Sequence, residues 1–107
     1  YSRDGFGDLP RAKFLEALTA EGIPCSSGYV PLYREHLFHV EPDGCPLGCR
    51  FYGRKMDYSQ VSCPVAEHAC ANEALWIFQS VLLGTKDDMN DIASAVSKVR
   101  ENVDELL

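Results

Sequence analysis

Long apolar runs are missing from this sequence. Nothing approaches the roughly 20 residues that a membrane-spanning helix needs, and no basic segment followed by an apolar one suggests a secretory leader. Cations are scarce: ten Lys and Arg face sixteen Asp and Glu, for a net charge of −6. Phosphate backbones recruit clustered cations, so this balance argues against nucleic acid as the main partner. A phosphate loop is also lacking, because the glycines at 5, 7, 22, 28, 44, 48, 53 and 84 fit neither G-x-G-x-x-G nor G-x4-G-K. Lysine occurs only at 13, 55, 86 and 98, in polar helices or a loop. None of these positions offers the apolar surroundings that activate an amine for imine chemistry. There is no internal repeat and no low-complexity tract.

What remains is globular in composition, with 46% hydrophobic and 24% charged residues among 107. That length fits a single domain spanning 1–107. The acid gathers in "KDDMND" and "RENVDELL", which reads as a solvated helix face. The opening "YSRDGFG" reads as the end of a strand running into a loop, so the chain is expected to be a piece of a longer protein.

The first helix is expected over Leu9–Glu21, with Asp8 as cap, Pro10 in the first turn and Gly22 after the last. Phe14, Ala17 and Leu18 form its buried face, with Leu15 beside them. Ile23–Tyr29 reads as a short strand. Residues 30–63 are mostly irregular, turn-rich and without apolar periodicity. A second helix is expected from Pro64 to about Asn72. "ALWIFQ", residues 74–79, suits a buried strand that "SVLLG" continues toward a turn. The last helix runs from Lys86 to about Glu105, with Thr85 and Asp88 as a capping box. Met89, Ile92, Val96, Val99, Val103 and Leu106 form its apolar stripe. This order predicts an α+β fold, a small sheet with helices packed on one face. Two strands make a marginal sheet, so at least one further strand is expected, either unrecognised in this sequence or outside it.

The candidates for chemistry are few. Cys45 and Cys49 have zinc half-site spacing, and Cys63, His68 and Cys70 follow. His68 and Cys70 sit at i and i+2, which point apart on a helix, and five cysteines is an odd number for a complete disulfide framework. Reduced thiols in a cytoplasmic protein are the plainer reading, and a zinc-stabilised binding domain is the alternative. Cys25 with His36 or His39 could pair as nucleophile and base, but nothing in the local sequence supports it. Glu67 and Glu73 are expected to be exposed. The residues alone therefore describe a fold without a complete catalytic set.

Three segments read together carry a resemblance: "LPRAKFLEALTAEGIPCSSGYVPLYREHLF", "SCPVAEHACANEALWIFQSVLLG" and "DDMNDIASAVSKVRENVDEL". In order and spacing they resemble the C-terminal small domain of the DegT/DnrJ/EryC1/StrS aminotransferases. The subgroup includes members similar to 3-amino-5-hydroxybenzoate synthase and to inosose aminotransferases. The resemblance runs from about Phe6 to Leu106 and is weakest over residues 40–58. It implies a complete enzyme that uses pyridoxal phosphate to move an amino group, often from glutamine or glutamate, to a keto sugar or cyclitol. It places the aldimine lysine and the other cofactor contacts in a large domain that this chain lacks. It also implies that this chain alone is inactive, that it caps the substrate cleft, and that the complete enzyme is a homodimer. Tyr29, Tyr33, Arg34 and Gln79 would then bind substrate, with Pro31 fixing the loop and Trp76 belonging to the core. A stand-alone interaction module with the same fold is the rival reading. If a large domain is missing, an apolar surface is expected on the sheet or the C-terminal helix.

Overall fold

The computed structural model describes residues 1–38 and 57–107 of the chain. In chain order its elements are α1 (Arg11–Ala20), β1 (Cys25–Ser26), α2 (Pro64–His68), β2 (Trp76–Ile77), α3 (Lys86–Glu101) and α4 (Val103–Leu106). Two compact units result, one of Tyr1–Gly28 with Asn72–Leu107, the other of Tyr29–Ala71. The architecture is α+β, with a small antiparallel sheet and helices as its main mass. None of the described helices is long and apolar enough to cross a membrane.

The first unit is built around Leu9, Phe14, Leu18, Ile23, Ala95, Val99 and Val103, all buried. The rings of Tyr1, Phe6 and Phe14 close one side, with centroids 4.7 to 5.3 Å apart. Helix α1 begins later than the sequence suggests. Pro10, not Asp8, is the residue at its N-terminal boundary, with an extended ψ of 138°. The proline ring disfavours helical backbone at the residue before it, so Leu9 stays outside the helix. Leu9 instead inserts into the core, fully buried. Asp8 takes a left-handed φ of 64°, and its main-chain oxygen accepts from Arg3 Nε at 2.8 Å.

The end of α1 follows its glycine. Gly22 adopts φ 87°, Ile23 N–H donates to Leu18 O, and Gly22 N–H donates to Thr19 O, both at 3.0 Å. This is a Schellman ending, and it turns Ile23 back onto Leu18 in the core. Phe14 and Leu18 are the buried positions of α1, while Ala17 packs partly buried against them.

The sheet is shorter than either expected strand. Cys25 pairs with Ile77 and Ser26 with Trp76, antiparallel, and the ladder ends there. Pro24 offers no donor on one side, and Gly28 turns left-handed at φ 76° on the other. Side chains alternate along a strand, so Cys25 and Ile77 face the core and Trp76 faces away. The run over 74–79 is therefore not a buried strand: Trp76 and Phe78 are each about half exposed. Nor does the strand continue through "SVLLG", because Gln79–Leu83 coils into a 3-10 turn.

Helix α3 starts as its sequence dictates. Asp88 N–H donates to Thr85 Oγ1 at 3.3 Å, and Thr85 N–H donates to Asp88 Oδ2 at 2.6 Å. Those two bonds satisfy amides that a helix start leaves open. The stripe meets the core through Val99 and Val103, with Ile92, Val96 and Leu106 partly buried and Ala95 added to it. The helix does not run unbroken to Glu105. Asn102, at φ −112° and ψ 27°, interrupts it before α4, and its Nδ2 donates to Lys98 O at 2.7 Å. Lys98 also joins α3 to α1, with Nζ 2.7 Å from Glu21 Oε1.

In the second unit no described residue is buried. Tight 3-10 turns at Leu32–Arg34, His36–Phe38 and Tyr58–Gln60 precede α2. Asp57 Oδ1 accepts from Ser59 N–H at 2.9 Å, and the rings of Phe38 and Tyr58 meet edge-on at 5.6 Å. Helix α2 starts at Pro64, as expected, and passes at Ala69–Glu73 into a wider π-type turn.

Candidate functional site

The most organised polar cluster among the described residues joins the Leu32–Arg34 turn to the start of α2. Pro31, at φ −54°, leads into the turn, and its carbonyl accepts from Arg34 N–H at 2.8 Å. Tyr33 and Arg34 thereby leave the turn as consecutive side chains. On the other element, Pro64 occupies the first helical position and Cys63 the boundary, with no side-chain cap from Cys63 itself. Glu67 takes that part: its Oε1 accepts the Cys63 N–H at 3.0 Å.

Both carboxylate oxygens of Glu67 are engaged. Oε1 also accepts a short hydrogen bond from the Tyr33 hydroxyl. Oε2 lies 2.7 Å from Arg34 Nη2. The Tyr33 oxygen accepts in turn from Cys63 N–H at 3.2 Å, and the Arg34 guanidinium sits 5.8 Å from the Tyr33 ring centre, within cation–π reach. Glu67 was expected to be exposed, yet its side chain is only 23% accessible. The Tyr33 hydroxyl, the Cys63 amide and the Arg34 charge hold its carboxyl below the usual carboxylate range. Desolvation and the bond to Glu67 push the Tyr33 phenol up.

The cluster thus includes two residues expected from the sequence and one that was not. A glutamate in the first turn of a helix is a local signal. Its engagement with residues more than thirty positions away is not visible in any sequence window. Tyr29 lies in the same unit and is 72% exposed. Gln79 belongs to the first unit, exposed at the start of its 3-10 turn.

Trp76 was read as core and is half exposed instead, because it stands on the outer side of a two-strand sheet. Its indole lies against Gly28: a Cβ on that glycine would fall 1.8 Å from Nε1. Exposed Phe78, Leu82 and Leu83 follow Trp76 along the chain. Exposed apolar side chains thus occur on β2 and the turn after it, while Ile92, Val96, Val99, Val103 and Leu106 of the apolar stripe pack in or against the core.

Among the described residues the remaining candidates are not brought together into a catalytic set. Cys25 Sγ lies 3.6 Å from Leu15 O within the first unit, and His36 is exposed in the second. Cys63 is exposed and Cys70 half-buried. Among the described residues no three His, Cys, Asp or Glu side chains are grouped to hold a metal. His39, Cys45, Cys49 and Lys55 lie outside the described residues, so half of the zinc reading falls there.

The segment thus presents phenol rings and a half-exposed guanidinium. Tyrosine offers an apolar face and a polar tip, and arginine offers several directed donors. The chain is 36% identical over 105 residues to a Micromonospora echinospora protein provisionally named L-glutamine:3-amino-2,3-dideoxy-scyllo-inosose aminotransferase, covering 96% of this chain and 25% of that protein. A similarly named protein of Streptoalloteichus tenebrarius is 40% identical over 108 residues, 99% of this chain and 26% of its own length. The L-glutamine:2-deoxy-scyllo-inosose aminotransferase of the same organism is 34% identical over 110 residues. No protein-family model and no solved structure matches the chain. The chain is a homologue of a segment of the L-glutamine:inosose aminotransferases, and it spans about a quarter of their length.

Proposed function

We propose that residues 1–107 form the C-terminal small domain of an aminotransferase acting on a keto cyclitol or a related keto sugar. The observation that supports this best is the extent of the likeness, 96 to 99% of this chain against a quarter of enzymes roughly four times longer. Its role is to cap the substrate cleft of a large domain, in an enzyme that works as a homodimer. Tyr29, Tyr33, Arg34 and Gln79 are the proposed substrate contacts. The tyrosine rings would lie on the ring face of the cyclitol, and Arg34 and Gln79 would bond its hydroxyls.

The family implies pyridoxal phosphate in the complete enzyme, where that cofactor supplies the carbanion stabilisation of amino transfer. The described residues of this chain do not fit it. Lys13 Nζ is bound to Leu106 O at 2.6 Å, Lys98 Nζ to Glu21, and Lys86 is exposed at the start of α3. No step of cofactor chemistry is therefore derived from this chain, and the aldimine lysine is assigned to the large domain.

The test is an assay of the full-length enzyme with glutamine as donor and 2-deoxy-scyllo-inosose as acceptor, read by mass spectrometry of the aminated product. Turnover by the full-length protein and none by 1–107 alone is expected. A full-length protein that aminates no cyclitol or keto sugar would sink the proposal and favour an interaction module. In an active enzyme, Tyr29→Phe and Gln79→Ala should raise KM for the acceptor, and unchanged kinetics would remove those two contacts.

A further inference from the structure

The cluster around Glu67 says more than which residues meet a substrate. Tyr33 spends its hydroxyl twice, donating to Glu67 and accepting from the Cys63 amide. A hydroxyl so engaged cannot swing to a ligand; it acts as a pin between the turn and α2. Arg34 is different. One nitrogen, Nη2, is on Glu67, and the side chain is 56% exposed. Guanidinium carries five N–H donors in a rigid plane, so anchoring one nitrogen sets the direction in which the others point.

We infer that Glu67 is a positioning residue, whose carboxylate fixes Tyr33 and Arg34 so that the Arg34 guanidinium meets a hydroxyl of the bound cyclitol from one defined direction. Pre-setting a long side chain removes rotamer freedom that substrate binding would otherwise have to remove. The pinned turn also carries Pro31 and the backbone toward exposed Tyr29, so the same carboxylate organises the whole 29–34 segment. The lowered pKa of Glu67 keeps it ionised through the neutral range, as an anchor for a cation requires.

This inference rests on the aminotransferase reading, and its test separates the two. In the full-length holoenzyme, Glu67→Gln keeps the size of the side chain and removes its charge, and Arg34→Lys keeps the charge and removes the planar fork. Glu67→Gln is expected to raise KM for the inosose about five-fold or more, with kcat within about two-fold, the pattern of lost binding and not lost chemistry. Arg34→Lys should do the same, and the double variant should be little worse than either alone. Hydrogen exchange at the Cys63 amide should quicken about ten-fold in Glu67→Gln and in Tyr33→Phe. Faster exchange with unchanged KM would leave Glu67 as mere scaffolding and overturn the positioning role. A raised KM with unchanged exchange, or strictly additive effects of the two substitutions, would overturn it as well. A wild-type enzyme with no inosose activity would remove the parent reading and this role together, whereas an active wild type with indifferent variants removes this role alone.

Discussion

The two units of this molecule are organised by opposite means. The first, Tyr1–Gly28 with Asn72–Leu107, has an apolar centre to which α1, α3 and α4 contribute buried aliphatic and aromatic side chains. The second, Tyr29–Ala71, buries none of its described residues and is tied by turn hydrogen bonds and one carboxylate with three donors. Hydrophobic burial is additive and tolerant of position, whereas a polar cluster at the surface depends on each member and competes with water. The first unit should therefore fail as a whole when its centre is cut, and the second should loosen locally when one group is changed.

The largest expected effect tests the first half of that contrast. Leu18→Ala removes a side chain that is 1% exposed between α1 and α3 and should cost about 2–5 kcal/mol, read from the urea midpoint. A loss below about 1 kcal/mol would mean that this centre is not what stabilises the unit.

Gly28→Ala comes next. It places a Cβ 1.8 Å from the Trp76 indole nitrogen at a backbone φ of 76°, so both the ring and the turn must move. About 1–3 kcal/mol should be lost. Trp76 is the only tryptophan, so its emission reports the displacement directly. An unchanged spectrum would mean that the indole does not rest on Gly28.

Thr85→Ala removes one arm of the capping box and should cost about 1 kcal/mol, visible as a small fall in midpoint with the same slope. Thr85→Ser should retain nearly all of that stability, since the hydroxyl oxygen that accepts the Asp88 amide is kept.

The smallest effect belongs to the second unit and is sharpest in acid. The folded pKa of Glu67 is lowered, first by the Tyr33 hydroxyl and then by the Cys63 amide. A lowered folded pKa means that the stabilisation is complete above the ordinary carboxylate value and is lost as pH falls through the folded one. Protection of the Cys63 amide, taken relative to its intrinsic exchange rate, should accordingly be retained at neutral pH and fall only below the usual carboxylate range. Asp88, lowered by its bonds from Thr85, titrates in the same direction, so the Glu67 contribution is isolated by comparison with Glu67→Gln. Protection already lost near neutral pH would contradict the assignment.

Local chemistry made some of this legible in advance. The Thr85–Asp88 box, the glycine that ends α1 and the proline that starts α2 are decided by residues within one helical turn of each other. The stripe from Ile92 to Leu106 follows from helical periodicity, although its break at Asn102 does not. Trp76 shows where such reading fails: an apolar run in sequence does not state whether both faces of its strand will be covered, and the face that carries Trp76 is left half exposed. Glu67 shows the second kind of failure. Its charge marks it for solvent, and only the return of Tyr33 and Arg34 to the start of α2 gives it donors enough to remain partly covered.

The sequence by itself thus determined where α1 ends, where α2 and α3 start, which helix faces are apolar, and the likeness to a quarter of the inosose aminotransferases. These are properties of neighbouring residues, of period, and of order along the chain. Only the tertiary structure decided that the sheet stops at two residues a strand, that Trp76 rests on Gly28, and that one carboxylate gathers Tyr33, Arg34 and the Cys63 amide. Those outcomes depend on contacts between residues distant in sequence, whose energies exist only once the chain has closed upon itself.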